Sequence, residues 1–407
     1  MTVLLIVLIV FLVPVIIGWT WGHGEISKGL RGHPFLRAGS DVDLPDPAPM
    51  LSVIIPAHNE ERNIRRTLDA VVAQDYPSFE VIVASDRSTD ATASIVREFA
   101  ARDPRVRLFE NHDLPEEWSG RSYVIQKASE TASGEILHFT DADVALDPGA
   151  FSTLVTYFTA NRLDMLSLFL RQESSNLWDK VVFLFICLFT EITFPFKKVN
   201  DPKSPVAMAV GQSITVRTDV YHAIDGHERI KSLRQDDVAF AKLVKGLGYR
   251  SRLVYGFDMG AGRWYPTMGR IWTGWTLNIY GLIDGSFRRV FDGVLRVILP
   301  ILVPHVTLVV ALVLLLTRGA DVLVTVLLAM SLAAVVLFVW FLLRFGRVMR
   351  ADAAPVTVYL AGFGIFCGIL LWAAVMRFRS SEVMSGGKPF FVTPHGGLTC
   401  VRESSEA

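Results

Sequence analysis

Four short polar motifs in the middle of the chain could do chemistry together. Asp141-Ala142-Asp143 directly follows the apolar run "EILHFT". Two carboxylates one residue apart at a strand end can hold a hard divalent cation, and that cation can bridge the two phosphates of a nucleotide sugar. Alone, such a pair is most often a solvated acidic turn; its place after a buried strand favours the metal. Ser85-Asp86-Arg87-Ser88-Thr89-Asp90 follows another apolar run. A carboxylate there can accept from a uracil ring N–H or a ribose hydroxyl, while Ser88, Thr89 or Asp90 can cap the helix beginning near Ala91. His58, Asn59, Glu60 and Glu61 are a similar case. Gln235-Asp236-Asp237 opens a helical stretch. Adjacent acids at that position ordinarily answer the helix dipole; the functional reading is a general base that takes a proton from an acceptor hydroxyl. Arg263-Trp264-Tyr265 precedes "RIWTGWTLNIYG". Such aromatics commonly form an interfacial belt, and an arginine among them can pair with a diphosphate.

These motifs need a frame, and the surrounding pattern supplies one. "LSVIIPA", "FEVIVASD", "VRLFEN" and "EILHFTDAD" read as strands, separated by "NIRRTLDAVVAQ" and "TASIVREFAAR" with helical periodicity. Strands alternating with helices predict an α/β domain with a mostly parallel sheet flanked by helices. Ligands bind such sheets beyond the carboxyl ends of the strands, where these loops converge.

The ends of the chain differ. Of 407 residues, 51% are hydrophobic and formal net charge is zero, which argues against nucleic acid as a partner. Val3 to about Trp19 or Trp21 is nearly all Val, Leu and Ile, lacks a positive n-region and a small-residue cleavage site, and reads as a permanent anchor. Val297–Leu316, Val322–Leu343 and Pro355–Val375 are each long enough to span a bilayer. Cys187, Cys367 and Cys400 lie far apart and form neither a metal-ligand spacing nor a disulfide framework.

In order, "VIIPAHNEERNI", "SDRSTD", "GR", "DAD", "QDDVAFAKLVKGLGYR" and "RW" resemble family 2 glycosyltransferases of the GT-A fold, over roughly Leu51 to Tyr280. "LPEEWSGRSYVIQKA", "AIDGHERI" and "RWYPTMGRIWTGWTLNIYG" resemble the membrane-bound subgroup associated with carotenoid and hopanoid modification. Ceramide glucosyltransferases and cellulose and hyaluronan synthases are more distant. The resemblance implies a Mg²⁺ or Mn²⁺ ion and a nucleotide-sugar donor, a UDP-sugar first. It places Pro56, Glu60 and Asp86 at the donor, the last two on its nucleoside end. Arg121 lies near the diphosphate, Asp143 ligates the metal, and Asp141 faces ribose or metal. Asp237 is the base, beside Asp236, and Arg263 with Trp264 closes over donor or acceptor. The chain departs from the family where Ser85-Asp86-Arg87 replaces an acidic pair and glycine, and where Gly260 replaces a glutamine.

The implied organisation is an anchor at 1–22, a linker at 23–49, a GT-A catalytic domain at 50–262, an interfacial segment at 263–296, three transmembrane segments at 297–376 and a tail at 377–407. The implied reaction is inverting transfer to a lipid hydroxyl or carboxyl. A processive polysaccharide synthase and a non-catalytic membrane scaffold with a degenerate transferase domain are the alternatives. Lys28, Arg31 and Arg37 beside the first span, and Arg344, Arg347 and Arg350 between the last two, predict an inner-membrane protein with a cytoplasmic catalytic domain. Four full spans would leave the tail outside, with Arg377, Arg379 and Lys388, so one run could be re-entrant. The Phe-rich stretch Asp179 to Phe196 is expected to be either a core helix or an interfacial helix at a lipid acceptor's entrance.

Overall fold

A computed structural model of the chain describes residues 1–32, 35–39, 43–174, 176–263, 265, 267–283, 286–351, 358–376, 382–385, 388–392 and 398–401. The chain begins with helix α1 (Thr2–Gly32) and strand β1 (Phe35–Arg37). An alternating series follows: β2 (Leu51–Ala57), α2 (Ile64–Val72), β3 (Phe79–Asp86), α3 (Thr92–Ala100), β4 (Val106–Asn111), α4 (Gly120–Ser129) and β5 (Ile136–Phe139). Next come β6 (Val144–Leu146), α5 (Ala150–Ala160), β7 (Met165–Glu173), α6 (Leu177–Thr193), α7 (Phe196–Val199), β8 (Ile214–Arg217), α8 (Thr218–Ala223), α9 (Asp236–Gly246), β9 (Ser251–Arg263) and α10 (Met268–Leu282). The chain then forms α11 (Phe287–Gly293), α12 (Leu299–Arg318), α13 (Val322–Val348) and α14 (Tyr359–Met376), and closes with β10 (Val383–Ser385), β11 (Lys388–Val392) and β12 (Leu398–Thr399). These elements group into two compact units.

The larger unit is built on one sheet, ordered β4-β3-β2-β5-β8-β7-β9-β1, with β6 added on β9. β4, β3, β2 and β5 run parallel, β8 runs antiparallel to both neighbours, and β7, β9 and β1 are parallel again. This is the mostly parallel, helix-flanked sheet that the alternating pattern predicts, and it is GT-A-like, as the resemblance implies. β2 and β3 are buried along their whole length, because helices cover both faces of a parallel sheet. One apolar layer joins the sheet to α2, α3 and α5; a second joins it to α4, α8 and α9. Pro56 sits inside β2 without breaking the ladder, because the pairing of β5 stops at Ile54↔Phe139, short of the proline. A register shift between Leu170 and Arg171 lets the end of β9 pair with β6 as well as β7.

The smaller unit gathers α1, α6, α11, α12, α13 and most of α14. Among the described residues, four helical stretches are long and apolar enough to cross a membrane: Thr2–Glu25, Arg288–Arg318, Val322–Val348 and Tyr359–Met376. Trp19 packs on Phe338 and Phe341, and Ser331 donates to Thr307 at 2.8 Å. Two groupings differ from the linear plan of the sequence. α6, inside the 50–262 block, joins the apolar helices, where Phe185 meets Phe363 and Phe366. The strands of the tail join the sheet unit, where Leu233 and Thr399 form an antiparallel bridge.

Candidate functional site

The loops that leave the sheet at the carboxyl ends of β2, β3 and β5 carry the acidic motifs. After β5, Thr140 donates its hydroxyl to the Gln212 carbonyl at 2.8 Å, so the chain turns and presents Asp141 to Asp143. β6 then pairs with the end of β9, and the Arg263 N–H reaches the Asp143 carbonyl at 3.3 Å. Asp236 and Asp237 open α9. Arg121 stands at the start of α4, whose N-terminus is capped by the Ser119 side chain.

Arg121 ties these pieces together. Its guanidinium pairs with Asp141, donates to Asp236 at 2.9 Å, and donates to the Gly211 carbonyl at 3.2 Å. Burial works against its charge, but Asp141, Asp236 and Asp237 outweigh burial and hold it protonated. Asp237 accepts the Gly211 N–H at 3.1 Å and the Val238 N–H at 2.8 Å. Burial and then Asp236 push its pKa up to about 6, against the pull of those N–H groups and Arg121. Burial, then Asp141 and Glu60, push Asp143 well above the usual carboxylate range. Glu60 is raised too, by burial ahead of Asp141 and Asp90. Asp236 is buried and bonded to Arg121, so it holds the guanidinium rather than facing outward.

The loops after β2 and β3 are differently made. Asp86 is only 4% exposed, and its carboxylate accepts from Arg87 Nε at 2.9 Å, Arg87 Nη2 at 2.8 Å and Asn111 Nδ2 at 3.2 Å. The carboxylate expected to meet a uracil ring is therefore already engaged. Asn59, Ser88, Thr89 and Asp90 lace the two loops to each other. Asp90 accepts the N–H of Thr92, the first residue of α3, at 2.9 Å. Pro56 is buried in β2 opposite Ala84 and reaches the site only through the loop that follows. Arg263 stands beside Asp143 through its backbone while its side chain pairs with Glu173 at 3.4 Å. Trp264 lies outside the described residues.

Several participants were given no role from the sequence, although His227 lies within the quoted "AIDGHERI". Gly211 supplies a backbone donor to Asp237 and a backbone acceptor to Arg121. Gln212 follows it, its amide buried and without a hydrogen-bond partner among the described residues. That amide lies over Gly262, where a β-carbon would approach it to 2.2 Å. His227, kept neutral by burial with a pKa near 4, stacks on Phe240 at 5.2 Å and faces Asp236 at 3.9 Å. A lone glycine or histidine gives no periodic signal.

Among the described residues, no three His, Cys, Asp or Glu side chains gather as a closed metal cage. The pair Asp141 and Asp143 fits a different kind of site. Magnesium-like ions are held by one or two carboxylates together with substrate phosphates, and Asp143, raised by burial first and then by Asp141 and Glu60, stands among like charges that a cation would offset. With Asp141 paired to Arg121, Asp143 is the freer ligand.

The mixed α/β sheet is of GT-A-like arrangement, with carboxylates and an arginine gathered at its strand ends. Residues 52–224 match the family described as Glycosyl transferase family 2, so the sheet unit carries a glycosyltransferase family 2 domain. Two curated relatives align with part of the chain. The GalNAc(5)-diNAcBac-PP-undecaprenol beta-1,3-glucosyltransferase of Campylobacter jejuni is 34% identical over 107 residues, covering 26% of this chain and 34% of the relative. The uncharacterized glycosyltransferase YibD of Escherichia coli is 31% identical over 115 residues, covering 28% and 32%. Each aligned stretch thus spans about a third of the relative's length. Among solved structures, a mannosyltransferase from Pyrobaculum calidifontis in complex with GDP-Man and Mn²⁺ covers 93% of this chain and 100% of its own, at 19% identity and a TM-score of 0.48.

Proposed function

We propose that the chain is a membrane-bound inverting glycosyltransferase that moves a sugar from a nucleotide-sugar donor to a lipid hydroxyl. The single observation that carries this reading is the joined cluster of Asp141, Arg121, Asp236 and Asp237, with Asp143 alongside. Asp237, poised near neutrality, takes the proton of the acceptor hydroxyl. The acceptor oxygen bonds to the anomeric carbon as the bond to the phosphate oxygen breaks, and that electron pair leaves with the nucleoside diphosphate. Attack opposite the leaving group inverts the centre. Arg121, fixed by Asp141 and Asp236, offers positive charge toward the leaving group without reorganising. Asp143, with Asp141, would hold a divalent cation that neutralises the diphosphate. A lipid acceptor is supported by the apolar helices, by the Phe-rich α6 grouped with them, and by the undecaprenol-linked substrate in one relative's name. The test is to incubate native membranes with a panel of radiolabelled nucleotide sugars and extract lipids. Label should enter the organic phase in a wild-type-dependent way; label confined to a water-soluble polymer would instead mark a polysaccharide synthase.

The catalytic unit and the tail share one membrane face, and charge bias makes it the cytoplasmic one. Lys388 donates to the carbonyls of Pro115, Glu116 and Trp118, and the Cys400 N–H donates to Ser232. Between sheet and tail the chain must then cross an even number of times. α14 is the helix that does not cross. It is the shortest of the four apolar stretches, 18 residues. Its first residue, Tyr359, packs on Phe338, which stands roughly 15 Å inside the end of α13 at Val348. Its later residue Leu370 lies near Gly293, before the start of α12. On this reading α14 runs from mid-depth toward the face where α12 begins. Cysteines placed at Ala101 and Met384 should label from the same side with an impermeant reagent, and one at Ala320 from the other. Labelling of positions 101 and 384 from opposite sides overturns this topology.

A further inference from the structure

The transferase reading leaves the nucleobase open, and the loop after β3 bears on it. Asp86 cannot serve as a free acceptor for a base. Three hydrogen bonds engage its two oxygens, the residue is buried, and the neighbouring backbone closes on it: a β-carbon on Gly120 would lie 2.2 Å from Asp86 Oδ2 and 3.0 Å from Arg87 Nη2. The space is left to Arg87, whose side chain is 26% exposed. Arg87 has φ +48°, a left-handed conformation that costs a residue with a β-carbon. Such strain persists where the surroundings over-determine it, and it is concentrated at functional positions.

The geometry of the Asp86–Arg87 pair fixes which donors remain. Nε and one N–H of Nη2 point at Asp86. The guanidinium is a planar five-donor group, so the end-on fork of Nη1 and Nη2 is unspent, and among the described residues the side chain makes no other hydrogen bond. Because Asp86 neutralises the charge, this fork suits a neutral base edge better than a phosphate. It also stands beside Gly120, the residue before Arg121, and on the transferase reading Arg121 serves the diphosphate. A nucleoside attached to that diphosphate falls within its reach.

Resting on the transferase reading, we propose that Arg87 reads the nucleobase and selects guanine. Two parallel donors match two adjacent acceptors, and guanine offers them as O6 and N7, the commonest bidentate arginine contact to a base. Uracil alternates acceptor, N–H, acceptor, so the fork would meet one acceptor and a facing donor. The donor of this enzyme is on this argument a guanosine-diphosphate sugar, not the uridine nucleotide that a free Asp86 would imply.

The test measures binding of GDP and UDP, each with Mg²⁺, to the full-length protein in detergent, for wild type, Arg87→Gly and Arg87→Lys. Wild type should bind GDP roughly tenfold to a hundredfold more tightly than UDP, the range of one bidentate contact. Arg87→Gly frees the Asp86 carboxylate for a ring N–H and should lose or reverse the preference. Arg87→Lys keeps a cation on Asp86 but has no fork; it should keep thermal stability and lose the preference. UDP binding more tightly than GDP to wild type, or an unchanged ratio in both variants, overturns the assignment while leaving a transferase. Binding of neither diphosphate, with no sugar nucleotide consumed, overturns the transferase reading itself.

Discussion

The loop after β3, with Asp86 and Asp90, and the cluster around Arg121 both carry carboxylates, but in opposite electrostatic condition. In the first, Asp86 has Arg87, and Asp90 has the N–H groups of Glu61 and Thr92 together with the Thr92 hydroxyl. Those acids are satisfied within the fold, and Asp90 is held below the usual carboxylate range by its Thr92 and Glu61 hydrogen bonds, against the opposing effect of burial. In the second, Asp141, Asp143, Asp236 and Asp237 crowd near the Arg121 guanidinium, and burial with mutual repulsion lifts Asp143 and Asp237. A satisfied carboxylate shapes a loop; a crowded one holds a demand that a cation or a proton can meet. The same residue type thus builds a binding wall on one side and chemistry on the other.

The sharpest break of this contrast is at Asp143. Asp143→Asn removes the charge that a divalent ion needs, and transfer should fall below detection while the far-UV spectrum is unchanged. Excess EDTA should do the same to wild type, and full activity in chelator would refute metal dependence. Next is Asp237→Asn, which should keep nucleotide binding and lose roughly 10²–10⁴-fold in kcat, the range for removal of a general base. Asp236→Asn should cost less, because Asp236 acts through Arg121; if Asp236→Asn is the inactive variant, the assignment of the base is off by one residue. A smaller effect follows from pH. The working form of Asp237 is the carboxylate and its pKa lies near 6, so kcat should be flat above about pH 7 and fall roughly tenfold per unit well below 6. A profile with no acid limb between pH 5 and 7, ranges on the order of one unit either side of that value, would exclude Asp237 as the titrating base. The smallest effect is expected on the satisfied side. Asp90→Ala removes a helix-start acceptor and should lower unfolding stability by about 1 kcal/mol with kcat nearly unchanged. A large kcat loss there would erase the distinction between the two regions.

Much of this was legible in the residues. The strands ending near Ala57, Asp86, Asn111 and Phe139 follow from apolar runs bounded by turn residues, and the convergence of their loops follows from a parallel sheet. The acids of "DAD" and "QDD" are far apart in the chain, and it was the family resemblance, not the alternating pattern, that implied a shared site. The pairing of Asp86 with Arg87 was not legible, since adjacent side chains usually diverge and only a left-handed φ at Arg87 turns this one back. Nor was the role of Gly211, which acts through its backbone and so leaves no trace in side-chain chemistry.

The sequence by itself determined the local matters: which runs are strands, which are long enough for a bilayer, and which carboxylates stand at strand ends. These depend on periodicity and composition over a few residues. Only the tertiary structure decided which carboxylates are satisfied and which are crowded, that α6 belongs with the apolar helices, and that β12 returns to pair beside Leu233. Those outcomes depend on distances between residues remote in the chain. A carboxylate's state is set by what lies within a few ångströms of it in space, and spacing along the sequence does not encode that.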